Sequence, residues 1–77
     1  MNFVHIESIP GILGGKPCIK GTRISVELIL ETIASGASIA DILREFPRLT
    51  QEAVQEAIHY AIAILRDETV VEVKLVV

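Results

Sequence analysis

Ser38-Ile39-Ala40-Asp41-Ile42-Leu43-Arg44-Glu45-Phe46-Pro47-Arg48-Leu49-Thr50-Gln51-Glu52-Ala53-Val54 spells out two helices and the turn between them. Ser38 followed three residues later by Asp41 has the spacing of a capping box, with Asp in place of the usual Glu or Gln. Ile39, Ile42, Leu43 and Phe46 form one apolar face; Asp41, Arg44 and Glu45 take the far side. Pro47 disfavours helix at Phe46 and closes the segment. Thr50 then caps a second helix, and Leu49 before the cap with Val54 after it has the spacing of a hydrophobic staple. The pattern predicts a helix-turn-helix.

Downstream, Val54, Ala57, Ile58, Ala61, Ile62 and Leu65 recur at helical period and predict a long helix over 51–66. Tyr60, Ala63 and Ile64 add apolar surface beyond that stripe, which calls for a further covering surface. Residues 69–77 partly alternate and read as a strand. Val71, Val73, Leu75 and Val77 share one face, and Glu72 and Lys74 punctuate the other. Such an edge invites association unless it is paired.

Upstream, Ser25 is a good N-cap, Glu27 suits the first turn, and Val26, Ile29, Leu30 and Ile33 make one buried stripe. Gly36 stands where a glycine ends a helix. Leu28 lies off the stripe. Residues 3–6 read as a short strand, with Phe3 and His5 on one face and Val4 and Ile6 on the other. Pro10-Gly11 and Gly14-Gly15 interrupt the chain as turns. Residues 18–24 suit a tight turn or short hairpin, with Gly21 placed for positive φ. The expected architecture is a mainly α single domain over 1–77. A short N-terminal β/turn segment (1–24) leads into a three-helix core (25–67), and a C-terminal β-strand arm completes the chain (69–77).

A chain of 77 residues leaves room for one domain, and at this size the stability margin is thin. Hydrophobic residues reach 51% while aromatics are only 4%, so the core is aliphatic. That much apolar content exceeds what one small core hides, and a partner surface is its expected destination. The net charge of −3 is not the basic balance that a nucleic-acid module usually carries. No apolar run is long enough for a membrane span, and residues 1–7 lack the layout of a signal peptide. Cys18 is the single cysteine, which rules out an internal disulfide. The expectation is a cytoplasmic protein.

As a recognition helix, the last helix offers Gln51, Glu52, Gln55, Glu56 and His59 at the N-terminal part of its outer face. Gln can read adenine, but the two carboxylates repel phosphate. Basic residues gather in the turn segment instead, at Lys16, Lys20 and Arg23, with Arg48 in the turn between the helices. Gly14-Gly15-Lys16 is not a P-loop: Pro10 stands where its first glycine is needed, and Pro17 where Ser or Thr must come after the lysine. His5, His59 and Cys18 lack ligand spacing. Glu27 with Glu31, and Glu52 with Glu56, read as solvated helix faces. These residues make no case for an enzyme, a metal or a cofactor.

Taken together, residues 14–26, 36–43 and 46–50 resemble a small prokaryotic family catalogued as domain of unknown function 433. The resemblance runs over about residues 3–66 and is carried most specifically by Gly21-Thr22-Arg23. Cys18 stands where that family commonly has an aliphatic residue, and Ser25 where it often has Pro. The resemblance implies a homeodomain-like helix-turn-helix fold. It also implies an antitoxin-like role in a homodimer, with a PIN-type toxin nuclease as partner and the protein's own promoter as DNA ligand. On that basis Gln51, Gln55 and His59 face the groove, Thr22-Arg23 is structural or backbone-contacting, and residues 69–77 form the partner-binding arm. Lys16, Lys20 and Arg48 complete the expected DNA set. Leu28, Tyr60, Ile64, Val71, Val73, Leu75 and Val77 make up the expected partner-binding set. The rival expectation is a protein-interaction or assembly module whose helix-turn-helix never touches DNA.

Overall fold

Three capping side chains place the three helices. In the computed structural model, which describes residues 3–67, Ser25 Oγ accepts the Leu28 N–H at 2.9 Å and opens α1 (Val26–Ala34). Ser38 and Asp41 close a reciprocal capping box at the start of α2 (Ile39–Glu45): Ser38 Oγ takes the Asp41 N–H at 3.1 Å, and Asp41 Oδ2 takes the Ser38 N–H at 2.9 Å. Thr50 Oγ1 accepts the Ala53 N–H at 3.1 Å and opens α3 (Gln51–Asp67). All three caps fall on the residues whose chemistry called for them. Gly36 comes after α1 at φ +107°, a left-handed conformation that costs a residue with a Cβ but not glycine.

Ahead of the helices, β1 (Ile6–Glu7) pairs antiparallel with β2 (Cys18–Ile19), in the register Ile6 with Ile19 and Glu7 with Cys18. The Lys20 N–H reaches the His5 carbonyl at 2.8 Å and extends the pairing. The chain then folds tightly back on itself. Ile19 N–H bonds the Ile24 carbonyl at 2.9 Å and Thr22 N–H bonds the Ile19 carbonyl at 3.0 Å, while Gly21 sits at φ +79°. Thr22 Oγ1 secures the turn from both sides, donating to the Ile19 carbonyl and accepting the Ile24 N–H. The hairpin-like turn expected at 18–24 is present.

The strand expected at 3–6 is displaced. Residues 4 and 5 form a turn in which Ile6 N–H returns to the Phe3 carbonyl at 3.2 Å, and pairing begins only at Ile6. Tertiary contacts override the local alternation. The Phe3 ring meets the Tyr60 ring edge-on, centroids 5.2 Å apart at 87°, and Glu56 holds His5.

Ile19, Val26, Ile29, Ile42, Leu49, Ala53, Val54 and Ala57 form the core, with Cys18 buried beside them. Leu49 and Val54 both lie in it, as a staple requires. The stripe on α3 needs correcting. Val54 and Ala57 are buried, and Tyr60 and Ala61 pack against the core, but Ile62 and Leu65 are exposed. Among the described residues, the buried cluster and the side chains packed on it end at Ala61, so the apolar period outlasts the core. Among the described residues, no helix is long and apolar enough to cross a membrane. The strand arm expected at 69–77 lies outside the described residues.

Candidate functional site

Residues 46–50 link α2 to α3, and Arg48 projects from this link toward the Gly21 turn. Its guanidinium donates to the Gly21 carbonyl over a long 3.4 Å. Glu7 reaches the same turn from the strand side and accepts the Gly21 N–H at 3.1 Å. Arg23 and Arg48 therefore line one open cleft with Glu7, Ile9, Ile12 and Thr22, about 560 Å³ in volume. Two cations that lie far apart in sequence meet at the Gly21 turn. Both are exposed and neither forms a salt bridge among the described residues, although the Glu7 carboxylate shares their cleft.

Lys16 does not join them. Its Nζ donates to Glu27 Oε1 at 2.9 Å, and that hydrogen bond, with the attraction of the carboxylate, raises the lysine pKa above its ordinary value. Lys20 is exposed on the turn. Of the four basic residues expected to form one set, the structure gathers two in the cleft.

On α3, Gln51, Gln55 and His59 are all exposed and succeed one another at i, i+4 and i+8, along one face with Glu52. Glu56 stands apart from them. It is turned toward β1: Oε2 accepts the His5 backbone N–H at 2.5 Å, and Oε1 lies 3.0 Å from His5 Nδ1. The bond from the His5 side chain holds the Glu56 carboxyl below the ordinary glutamate value. The reading of Glu52 and Glu56 as one solvated acidic face is thus half correct. Sequence reading missed this bond because 51 positions separate its partners.

The expected partner-binding residues divide as well. Leu28 is exposed on α1, away from the core. Tyr60 and Ile64 line an apolar groove between α1 and the C-terminal half of α3, together with Pro17, Val26, Leu30 and Leu65. Its volume is about 340 Å³, and among the described residues Glu27 is the one charged side chain in its wall. Ile64 and Leu65 leave 43% and 66% of their surface exposed, so the groove opens onto apolar surface at the end of α3. Val71, Val73, Leu75 and Val77 lie outside the described residues. The groove and the arginine cleft share no lining residue among those described.

Cys18 is buried, and loss of solvation pushes its thiol pKa up, which suits a packing residue and not a nucleophile. Among the described residues, no cluster of three His, Cys, Asp or Glu side chains is arranged to hold a metal ion.

Residues 6–61 match the family model described as "Protein of unknown function (DUF433)". The match takes in both strands, α1, α2, the arginine cleft and most of α3. This chain is a member of the DUF433 family. It is 38% identical over 56 residues to the uncharacterized protein y4eO of Sinorhizobium fredii (strain NBRC 101917 / NGR234). That alignment covers 73% of the present chain but only 25% of the relative, so the domain spans about a quarter of the longer protein's length. The crystal structure of a DUF433 member protein from Anabaena variabilis superposes with a TM-score of 0.77 at 32% identity. It aligns with 80% of this chain and 61% of its own. Each relative thus extends well beyond the part that it shares with this DUF433 domain.

Proposed function

We propose that this DUF433 domain is a non-enzymatic, antitoxin-like regulator. As a homodimer it uses a homeodomain-like helix-turn-helix to hold its own promoter DNA, and its apolar groove and C-terminal arm to occupy a PIN-type toxin nuclease. One observation carries the reading: an arginine cleft at the link into α3 and an apolar groove along the C-terminal half of α3 are built from separate described residues. Arg23 and Arg48 share the cleft at the Gly21 turn, Arg48 standing in the link that leads into α3, and α3 itself exposes Gln51, Gln55 and His59. Near its end, Tyr60, Ile64 and Leu65 open a groove that is almost wholly apolar.

A phosphate-and-base division of labour suits the first surface. Arginines in that cleft match backbone phosphates, and glutamines on the outer face match adenine edges. Bonding Glu56 to His5 takes up one of the two carboxylates on α3 that would oppose DNA, leaving Glu52 on the helix and Glu7 in the arginine cleft. The second surface suits an apolar partner segment laid into a groove, or a strand added along the arm.

The rival reading, an assembly module that never touches DNA, is favoured by the net charge of −3. Mobility shift with the DNA upstream of the protein's own reading frame separates the two. Retardation at low salt that is lost in Arg23→Ala/Arg48→Ala supports the regulator. Co-purification with a small nuclease encoded alongside, abolished by Ile64→Asp, tests the toxin half separately.

A further inference from the structure

We infer that the cleft at the Gly21 turn is a binding site for a free aliphatic α-amino acid, held through its carboxylate, its ammonium and its side chain. Such a ligand needs neither DNA nor a toxin, so the inference goes beyond the function proposed above.

The charges of the cleft are mixed. Arg23 and Arg48 supply two cations, and Glu7 supplies a carboxylate to the same lining. Among the described residues, neither arginine pairs with Glu7 in a salt bridge. A simple anion that enters meets the opposing charge of Glu7, and a simple cation meets two guanidinium groups. A zwitterion satisfies both signs at once, provided that its charges are spaced as the protein's are.

Gly21 shows that spacing. Glu7 Oε2 accepts its N–H at 3.1 Å, and the Arg48 guanidinium reaches its carbonyl oxygen at 3.4 Å. Glu7 and Arg48 thus already hold the two polar ends of one residue, with a single Cα between them. An α-amino acid carries its ammonium and carboxylate on a single Cα too, with full charges in place of amide dipoles, and charge-assisted bonds are the stronger ones. Each group has capacity left for it: the second carboxylate oxygen of Glu7, and the further N–H donors of Arg48. Arg23, exposed in the same cleft, adds its own donors for the carboxylate. The Gly21 backbone is open to approach, since a Cβ built there meets nothing within 4 Å.

Ile9 and Ile12 complete the site. They place aliphatic surface beside the charges, against which a branched aliphatic side chain gains by leaving water. The cleft volume of about 560 Å³ falls in the range of small-molecule sites, where apolar lining and a few convergent polar groups divide the work.

The test is titration of the isotope-labelled full chain with leucine, followed by NMR at the Gly21 and Thr22 amides. Three probes divide the ligand: isocaproate lacks the ammonium, isoamylamine lacks the carboxylate, and serine lacks the aliphatic body. Leucine should give saturable shifts at the turn. Isocaproate and isoamylamine should each bind about tenfold more weakly, the loss expected when one charge-assisted bond is removed. Serine should bind several-fold more weakly. Arg23→Ala/Arg48→Ala should abolish the shifts. Glu7→Gln, whose amide oxygen still accepts the Gly21 N–H, should erase the advantage of leucine over isocaproate. No leucine shift at the turn overturns the inference. Isocaproate, inorganic phosphate or serine binding as tightly as leucine also overturns it, because the cleft then does not read a zwitterion with an aliphatic body. Should a variant fail to fold, the ranking of probes on the unaltered chain decides alone. A chain that binds promoter DNA but ignores leucine keeps the regulator and loses this site.

Discussion

Glu56 grips His5 at two points, accepting the backbone N–H on one carboxylate oxygen and the Nδ1–H on the other. The pair joins the turn before β1 to the middle of α3, and so anchors the N-terminal segment on the candidate recognition helix. It also has a pH signature. Hydrogen bonding from the His5 side chain, and then from its backbone, depresses the Glu56 pKa in the folded state, against the opposing effect of burial. A depressed carboxylate stabilises the fold above its unfolded pKa, and that contribution is lost as pH falls through the folded value. Acid unfolding should therefore steepen below the ordinary glutamate value of 4.5. Glu56→Gln should flatten this part of a stability–pH profile measured by urea unfolding, leaving the contribution from Asp41, itself depressed by its bonds to Ser38. An unchanged profile in Glu56→Gln would show that the bond carries no linkage.

The core makes a sharper demand. Ile42 is wholly inaccessible to solvent, and Ile42→Ala should cost about 2–5 kcal/mol. For a domain of this size each kcal/mol lowers Tm by roughly 4–8 °C, so the variant should melt about 8–40 °C below the parent. Ile64→Ala, at a side chain 43% exposed, should leave Tm nearly unchanged. Thermal denaturation followed by circular dichroism compares the two, and similar losses would mean that the assigned core is wrong.

Gly21 offers a test of backbone strain free of crowding. A Cβ built there meets nothing within 4 Å, yet φ is +79°. Gly21→Ala should cost about 1–2 kcal/mol from the left-handed conformation alone. Gly21→Asn should cost less, because Asn tolerates that region. The order of the two urea midpoints checks the assignment.

Removing the cap of α2 should cost about 1 kcal/mol, the usual loss when a serine cap becomes alanine. Ser38→Ala deletes one arm of the capping box and leaves Asp41 its bond to the residue 38 backbone N–H. Asp41→Ala removes both that bond and the favourable charge in the first turn. Helicity and urea midpoints of the two variants, each below the parent, measure these contributions.

Local chemistry made most of the fold legible. Ser25, Ser38 and Thr50 announced three helix starts, Gly36 an end and Gly21 a turn, because each acts on residues within a few positions of itself. What local chemistry cannot carry is reach. The alternation of Phe3, Val4, His5 and Ile6 predicted a strand, but Tyr60 and Glu56, more than fifty positions away, hold two of those residues in a turn. Periodicity likewise ran on to Ile62 and Leu65, although the core beneath α3 stops near Ala61. The candidate site obeys the same rule. Arg23 and Arg48 were each visible as basic residues, but their meeting beside the Gly21 turn was not, and neither was the loss of Lys16 to Glu27.

For DNA binding, each arginine of the cleft should count as about one phosphate contact. Arg23→Ala and Arg48→Ala should each weaken binding across sequences and reduce the salt slope by about 1. Gln55→Ala should instead relax the preference for particular bases while leaving that slope alone. Affinities over a salt series, on promoter and on scrambled duplexes, separate the two behaviours.

The most direct test of the regulator is fluorescence anisotropy of a labelled duplex from upstream of the protein's own reading frame, titrated at low salt with the parent and with Arg23→Ala/Arg48→Ala. A promoter-binding regulator should show saturable binding by the parent that falls steeply as salt rises, and its loss in a variant that keeps parent helicity. A folded parent that leaves the anisotropy unchanged at low salt would contradict that role, and the rival assembly module would stand.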